Sequence, residues 1–228
     1  MTKGIFVTAT GTDVGKTFIS ALIVKKVREL GINCGYYKPA LSGAVESNGQ
    51  LIPGDCEYVL KTAGINENPA DCASYIFKTA VSPHLASEIE GISIKKETII
   101  KDFNNKKEQY DYLLVEGAGG IVCPFNIKDE RLLLEDVIKM LNLDVIIVAG
   151  AELGSINNAV LTAKYIKNAG INIKGIILNR YNENDFMQLD NKLQIENLTG
   201  VKVIATVKEN QNNLVIEKDK LLSIFKEI

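Results

Sequence analysis

Lys3-Gly-Ile-Phe-Val-Thr-Ala-Thr-Gly-Thr-Asp-Val-Gly-Lys-Thr17 is a short apolar strand that runs into a Gly-Lys-Thr turn, and the helical run Phe18–Leu30 follows it. A phosphate-binding loop makes physical sense in that order. Backbone N–H groups at the start of a helix point at an anion, and the helix dipole adds positive potential there. Lys16 can reach the β- and γ-phosphates of a nucleoside triphosphate, and the Thr17 hydroxyl can ligate Mg²⁺. Gly11, Thr12, Asp13, Val14 and Gly15 are the nucleotide-binding residues between strand and helix. The strict pattern wants Gly where Thr10 stands, and Gly11 comes one residue later, so the loop is a relative of the Walker loop. A plain strand-to-helix turn with a surface lysine is the alternative, and the flanking strand and helix argue against it.

Outward from the loop, strand-like and helix-like runs alternate. The strand-like runs are Ile5–Ala9, Cys34–Lys38, Tyr112–Glu116, Val145–Ala149, Gly175–Asn179 and Lys202–Ala205. The helix-like runs include Phe18–Leu30, Cys56–Ala63, Leu133–Leu141, Asn157–Asn168 and Phe186–Leu198. Nearly continuous apolar strands such as Val145-Ile-Ile-Val-Ala149 suit central parallel strands covered on both faces. The alternation predicts an α/β fold: a doubly wound, mainly parallel sheet of the P-loop NTPase type. With no Pro/Ser-rich linker and no repeat, residues 1–228 read as one domain.

Composition bounds the rest. The chain is 46% hydrophobic and 24% charged, as expected of a soluble protein with a packed core. Its net charge of −2, without a basic block, gives a nucleic-acid partner no electrostatic support. No run approaches the ~20 apolar residues of a membrane span, and no basic-led apolar leader points to export. Cys34, Cys56, Cys72 and Cys123 lack Cys-x-x-Cys spacing and read as reduced thiols of a cytoplasmic protein. A single histidine, His84, excludes a His-rich metal centre; coming after Ser82-Pro83, it reads as a helix-start residue more readily than as a base.

In a doubly wound sheet the ligand crevice lies beyond the carboxyl ends of the strands, so the residues just past each strand are the functional inventory. Lys38, placed at the end of the second strand by Pro39, is either a second cation near the phosphates or a snorkelling surface lysine. The third strand ends in Glu116-Gly-Ala-Gly-Gly120, an acid able to hold Mg²⁺ and then glycines, Gly117 and Gly119 among them, that permit close ligand approach. Asp55 opens a helix as a third metal-side oxygen or as an N-cap. Gly154, Ser155 and Asn157 form a second anion site at a helix start, or Ser155 simply caps that helix. Asn179 reads a base edge or is a buried structural amide.

These residues together resemble the dethiobiotin synthetases of biotin biosynthesis. The resemblance rests on Phe6-Val7-Thr8 through Gly15-Lys16-Thr17, Tyr37-Lys38-Pro39 with Ser42-Gly43, Ser82-Pro83-His84, Val115 to Gly120, and Leu153 to Asn157, in order from residue 3 to about 180. After Asn179 it weakens: the family's Ile-Pro pair is absent, and Thr206-Val-Lys-Glu-Asn210 stands in its place. The resemblance implies closure of a cyclic urea on 7,8-diaminopelargonate from CO₂ (bicarbonate) and ATP, with Mg²⁺, by a homodimer without nucleic-acid or membrane partners.

By resemblance, Lys16 clamps the triphosphate and Lys38 holds a carbamate against the γ-phosphate. Thr17, Asp55 and Glu116 serve Mg²⁺, and Ser42 binds the diamine or carbamate. Asp13 stands where the family commonly has Glu, near the substrate amine, and counts with the two lysines as catalytic; Ala9 replaces a frequent Gly. The Gly154–Asn157 turn of a second subunit takes the substrate carboxylate, and Asn179 contacts adenine. The rivals are a cobyrinate amide synthase, which needs a glutaminase domain that 228 residues cannot hold, and a ParA/MinD-like ATPase switch, whose early loop lysine is missing from Thr10–Thr17. A non-catalytic domain that kept the fold is a third, and the intact Lys16, Thr17, Lys38, Asp55 and Glu116 argue against it.

Overall fold

The apolar runs become strands because only a sheet covered on both faces can bury them. The computed structural model of the chain describes residues 1–47 and 49–228. β1 (Lys3–Ala9) leads through the loop into α1 (Lys16–Glu29), and β2 (Cys34–Ser42) returns to the sheet. A small antiparallel hairpin, β3 (Val45–Ser47) with β4 (Gln50–Ile52), precedes α2 (Gly54–Ala63). Next come β5 (Ala73–Phe77), α3 (Pro83–Glu90), α4 (Lys96–Lys107) and β6 (Tyr112–Glu116). A second hairpin, β7 (Pro124–Asn126) with β8 (Leu132–Leu133), opens into α5 (Leu134–Met140). Then β9 (Val145–Ala149), α6 (Ser155–Asn168), β10 (Ile173–Asn179), α7 (Phe186–Thr199) and β11 (Val203–Val207) alternate. The short α8 (Lys218–Ser223) and β12 (Lys226–Glu227) end the chain.

The main sheet runs β11-β10-β9-β1-β6-β2-β5 with every neighbouring pair parallel, and β12 lies antiparallel against the start of β1. This is the expected doubly wound α/β architecture. The chain leaves β1 toward β2 and β5, returns by β6, and then builds β9 to β11 on the other side. That reversal opens a crevice at the carboxyl ends of β1, β6 and β9, where the loop before α1 sits. The pleat sends alternate residues to two cores. Phe6, Val115 and Ile147 face α4 to α7, whereas Ile5, Val7, Leu114 and Ile146 face α1, α2 and α8. All five residues of β9 are fully buried, and each Ile or Val there contributes about 1.5–3 kcal/mol by leaving water. Among the described residues no helix is long and apolar enough to cross a membrane.

The structure corrects two local expectations. Lys38 is not at a strand end, since β2 continues through Pro39 to Ser42. β6 pairs with β2 only as far as Tyr37, and β5 takes over from Lys38 onward, so Pro39 lies where the β6 side of the ladder has already ended. Helices also start earlier than the apolar pattern suggests: α1 begins at Lys16 and α6 at Ser155, because their first turns open on polar residues that an apolar pattern does not mark. β5 and α4 are additional elements, and α3 is the helix that His84 is read to start. Helix α4 carries its apolar stripe on only Ile99 and Phe103 among many charges.

Candidate active site

The loop between β1 and α1 turns on Gly15, which caps α1 in the left-handed region at φ 93°. A Cβ there would stand 2.1 Å from Asn179 Nδ2, so both the backbone and the space demand glycine. Asn179, buried at the end of β10, donates from Nδ2 to the Val14 carbonyl at 3.0 Å and thereby pins the loop. Its Oδ1 is buried without a hydrogen-bond partner among the described residues. Lys16 folds back across the loop, donating to the Gly11 carbonyl at 3.1 Å. Burial depresses the Lys16 ammonium and outweighs the nearby carboxylate of Glu116, so its pKa lies below that of an ordinary lysine.

Beside the loop, two strands and a helix converge on one carboxylate. Glu116, fully buried at the end of β6, accepts at Oε1 from Thr17 Oγ1 at 2.8 Å and from Lys38 Nζ at 2.7 Å. Its Oε2 accepts from the Tyr36 hydroxyl at 3.0 Å. Lys38 Nζ also meets Asp55 Oδ2 at 2.6 Å, so one buried ammonium bridges two carboxylates. Burial works against the Lys38 charge, but Glu116 and Asp55 together override it and raise the pKa. Burial likewise opposes the Asp55 charge, and Lys38 overrides it in turn, holding that carboxyl below the usual range. Burial, with Glu116 adding to it, pushes the Tyr36 phenol far up and keeps it a donor.

Thr17, Asp55 and Glu116, the residues expected at a metal, are thus brought together. Their donors are all oxygen, and a cation, the Lys38 ammonium, already stands between the two carboxylates. No group of three or more His, Cys, Asp or Glu side chains forms a metal cage among the described residues. This small hard donor set fits Mg²⁺, which binds through one or two carboxylates, phosphates and water.

The cluster lines a cavity of about 600 Å³ together with Lys16 and Arg180. A cleft of about 700 Å³ adjoins it, and Thr12, Asp13, Ser42, Ala118 and Gly119 line both. Asp13 sits in the left-handed region at φ 60°. A third hollow, about 290 Å³, is lined by Gly15, Phe18, Asn179, Arg180 and the segment Lys208–Asn210. Cys123 lines the second cleft, and burial pushes its thiol up to about 11 despite Lys16 and Lys38.

Other expected residues stand differently. Asp55 is the second residue of α2 and not its N-cap, which is Pro53. Ser155 does not cap α6 either: Gly154 does, at φ 92°, and Ser155 Oγ is buried without a partner among the described residues. Gly154, Ser155 and Asn157 line none of these three cavities. Gly117 is a packing glycine, since a Cβ there would press on Phe6 and Leu134 at 2.9 Å. His84 is the second residue of α3, bonded to Ser82 Oγ at 3.0 Å, and it lines a separate small cavity. Sequence reasoning missed Tyr36 and the grip of Asn179 on the loop, because both act on residues 80 or more positions away.

A family model described as an AAA domain matches residues 3–214. The ATP-dependent dethiobiotin synthetase BioD of Clostridium botulinum strain 657 is 50% identical over 228 residues, covering 100% of both chains. That of Clostridium perfringens strain 13 is 51% identical over 207 residues, 91% of each chain. Among solved structures, the septum site-determining protein MinD of Pyrococcus horikoshii, complexed with Mg-ADP, superposes with a TM-score of 0.57 at 19% identity, over 92% of this chain and 82% of that one. At that identity the likeness is one of fold. Full-length identity at half of all positions is a likeness of family, and the chain belongs to the ATP-dependent dethiobiotin synthetases.

Proposed function

We propose that the chain is a cytoplasmic, homodimeric cyclo-ligase that forms dethiobiotin from 7,8-diaminopelargonate, CO₂ and ATP with Mg²⁺. The observation that carries this reading is the placing of Lys16 and Lys38 on one cavity wall, next to a cleft that shares Asp13 and Ser42 with it. One space suits the triphosphate tail, and the other suits the acceptor of its γ-phosphoryl group.

In the reaction, a substrate amine adds to CO₂ and loses a proton, giving a carbamate. A carbamate oxygen then attacks the γ-phosphorus as the bond to the ADP oxygen breaks. The neighbouring amine attacks the carbonyl carbon, phosphate departs with the C–O electron pair, and the nitrogen gives up its proton as the urea closes. Carbamate and triphosphate are both anions, so their repulsion is the barrier that fixed cations lower. Lys16 would clamp the β- and γ-phosphates, and Lys38, held charged by its carboxylates, would draw the carbamate to the γ-phosphate. Thr17, Asp55 and Glu116 would hold Mg²⁺, which supplies positive charge to the phosphate oxygens. Asp13 and Ser42 would orient the diamine.

Asn179 supports adenine as the base. One of its amide hydrogens is held by Val14, and its Oδ1 is an unpartnered acceptor among the described residues, which suits the exocyclic amine of adenine. Phe186, Leu189 and Leu193 of α7 are exposed at spacings that share one helix face, and Leu161 of the adjoining α6 is exposed as well. A second copy covering this face is the dimer that this reading expects, in which the N–H groups at the start of α6 would take the substrate carboxylate of the neighbour.

The test is phosphate release with ATP and Mg²⁺. It should require diaminopelargonate and bicarbonate together and should match dethiobiotin formed one for one. Release indifferent to both would reject the reading and favour an ATPase switch.

A further inference from the structure

We infer that Tyr36 is a positioning residue that sets the metal-facing orientation of the Glu116 carboxylate. The inference rests on the reading of Thr17, Asp55 and Glu116 as metal donors. Tyr36 and Lys38 are two apart on β2, so they project from the same face of the strand. Tyr36 pairs with Leu114 on β6, and Glu116 is two residues further along the same face. The register thus delivers two side chains from one strand to the two oxygens of one carboxylate.

The division of those oxygens is unequal. Oε1 faces Thr17 and Lys38, the residues on the cavity wall. Oε2 has a single hydrogen-bond partner among the described residues, the Tyr36 hydroxyl, in a place where both side chains are fully buried. A terminal carboxylate torsion is broad and roughly two-fold, so contacts at Oε1 alone leave the plane of the group free to swing. A donor fixed by a packed ring behind Oε2 removes that freedom. It also satisfies an oxygen that would otherwise be buried without a partner. Among the described residues Tyr36 forms no hydrogen bond with Lys38, Thr17 or Asp55, and its action on a metal passes through Glu116. Groups that orient a metal ligand in this way typically change affinity by about 10–100-fold when removed.

The experiment is a titration of Mn²⁺ into protein with ADP, monitoring the unbound ion by electron paramagnetic resonance. Tyr36→Phe should raise the Mn²⁺ dissociation constant about tenfold. Binding of ADP without metal should stay within about twofold, because Tyr36 lies behind the carboxylate and away from the loop. In turnover, the half-saturating Mg²⁺ concentration should rise by the same factor while kcat at saturating Mg²⁺ is largely recovered. Tyr36→Met, a second donor-free variant with a more adaptable side chain, should show the same weakening and guards against a packing defect peculiar to one substitution. Mn²⁺ binding as tight as wild type in either folded variant would overturn the inference. Glu116→Gln is the control for the reading beneath it: if that variant also binds Mn²⁺ normally, Glu116 is not a metal donor, whereas its failure with normal binding by Tyr36→Phe removes Tyr36 alone.

Discussion

Replacing Lys38 by methionine keeps most of the buried stem and removes the one charge that two carboxylates share. The ammonium lies 2.6 Å from Asp55 and 2.7 Å from Glu116. Those two contacts are not equivalent. The Asp55 side chain is 41% exposed, so water screens that pair and its loss costs about 0–1 kcal/mol. Glu116 is fully buried, and stranding a buried charge costs about 3–5 kcal/mol. The metal-free variant is therefore expected to lose about 3–5 kcal/mol. For a chain of this size, with about 2–4 °C per kcal/mol, that is a fall of roughly 6–20 °C in Tm.

The same geometry makes a second, opposite expectation. Without nucleotide, wild type already carries a cation on the two carboxylates, so added Mg²⁺ should raise its Tm less than it raises that of the variant. The variant leaves that position to the metal, and Mg²⁺ at about a hundred times its dissociation constant should return about 2.7 kcal/mol. Scanning fluorimetry across a Mg²⁺ series, with circular dichroism to confirm the fold, reads both effects. Dethiobiotin production should vanish while nucleotide binding persists. A metal-free Tm within a degree of wild type, or an unchanged response to Mg²⁺, would refute the assignment of Lys38 as the counter-ion. Unchanged product formation would remove it from catalysis.

Gly15→Ala places a methyl group against Asn179 and forces a left-handed backbone that costs about 1–2 kcal/mol. Nucleotide affinity measured by calorimetry should fall at least tenfold, for a Tm loss of only roughly 2–8 °C, and intact affinity would contradict the loop-pinning role of Asn179. The depressed carboxyl of Asp55 adds stability that is present above its unfolded value of about 3.9 and lost as pH falls through the lower folded value. The raised Lys38 contributes fully below about 10.4 and loses its contribution only as pH climbs through its folded value. Metal-free Tm should therefore be level between these limits as far as the triad determines it, and Asp55→Asn should flatten the acid limb; an acid limb identical to wild type would exclude Asp55 from the balance. Cys123 lines the cleft, yet its thiol is raised to about 11, so iodoacetamide at pH 8 should label it roughly a hundredfold more slowly than an ordinary thiol. Labelling at the ordinary rate, read by mass spectrometry, would show the thiol to be more exposed or more acidic than its surroundings imply.

The features legible in the sequence are those whose cause is local. β6 and β9 coincide with their apolar runs, because a strand buried on both faces must be apolar throughout. The loop residues could be named because strand, glycine and Gly-Lys-Thr succeed one another without interruption. β5 escaped because only its alternate residues Tyr75 and Phe77 are buried, a weak signal over five residues. Lys38 was displaced to a strand end by Pro39, since whether a proline ends a strand depends on where the neighbouring strand stops. Tyr36 and Asn179 escaped for a deeper reason: each acts through one hydrogen bond to a residue brought near only by the sheet. The trio of a buried Lys106 with the half-buried Glu67 and Tyr110, which ties α4 to the segment before β5, is hidden in the same way.

The two lysines of the site show why this chain can act with a single histidine that lies outside the cavity. Lys38 is fully compensated: two carboxylates hold it, and its ammonium persists at any working pH. Lys16 is the opposite case. It is 8% exposed, forms no ion pair among the described residues, and donates only to a neutral carbonyl. Burial therefore weighs on its charge without a full offset, and its pKa is lowered. A buried cation in that condition gains most from an anion, and the cavity it lines opens onto the amides at the start of α1. A triphosphate would supply what Glu116 gives to Lys38. The site is thus poised by an imbalance of charge: one lysine is satisfied by the protein and the other waits for the ligand. On the proposed chemistry the barrier is the meeting of two anions, and the arrangement answers it with fixed positive charge and not with a proton relay.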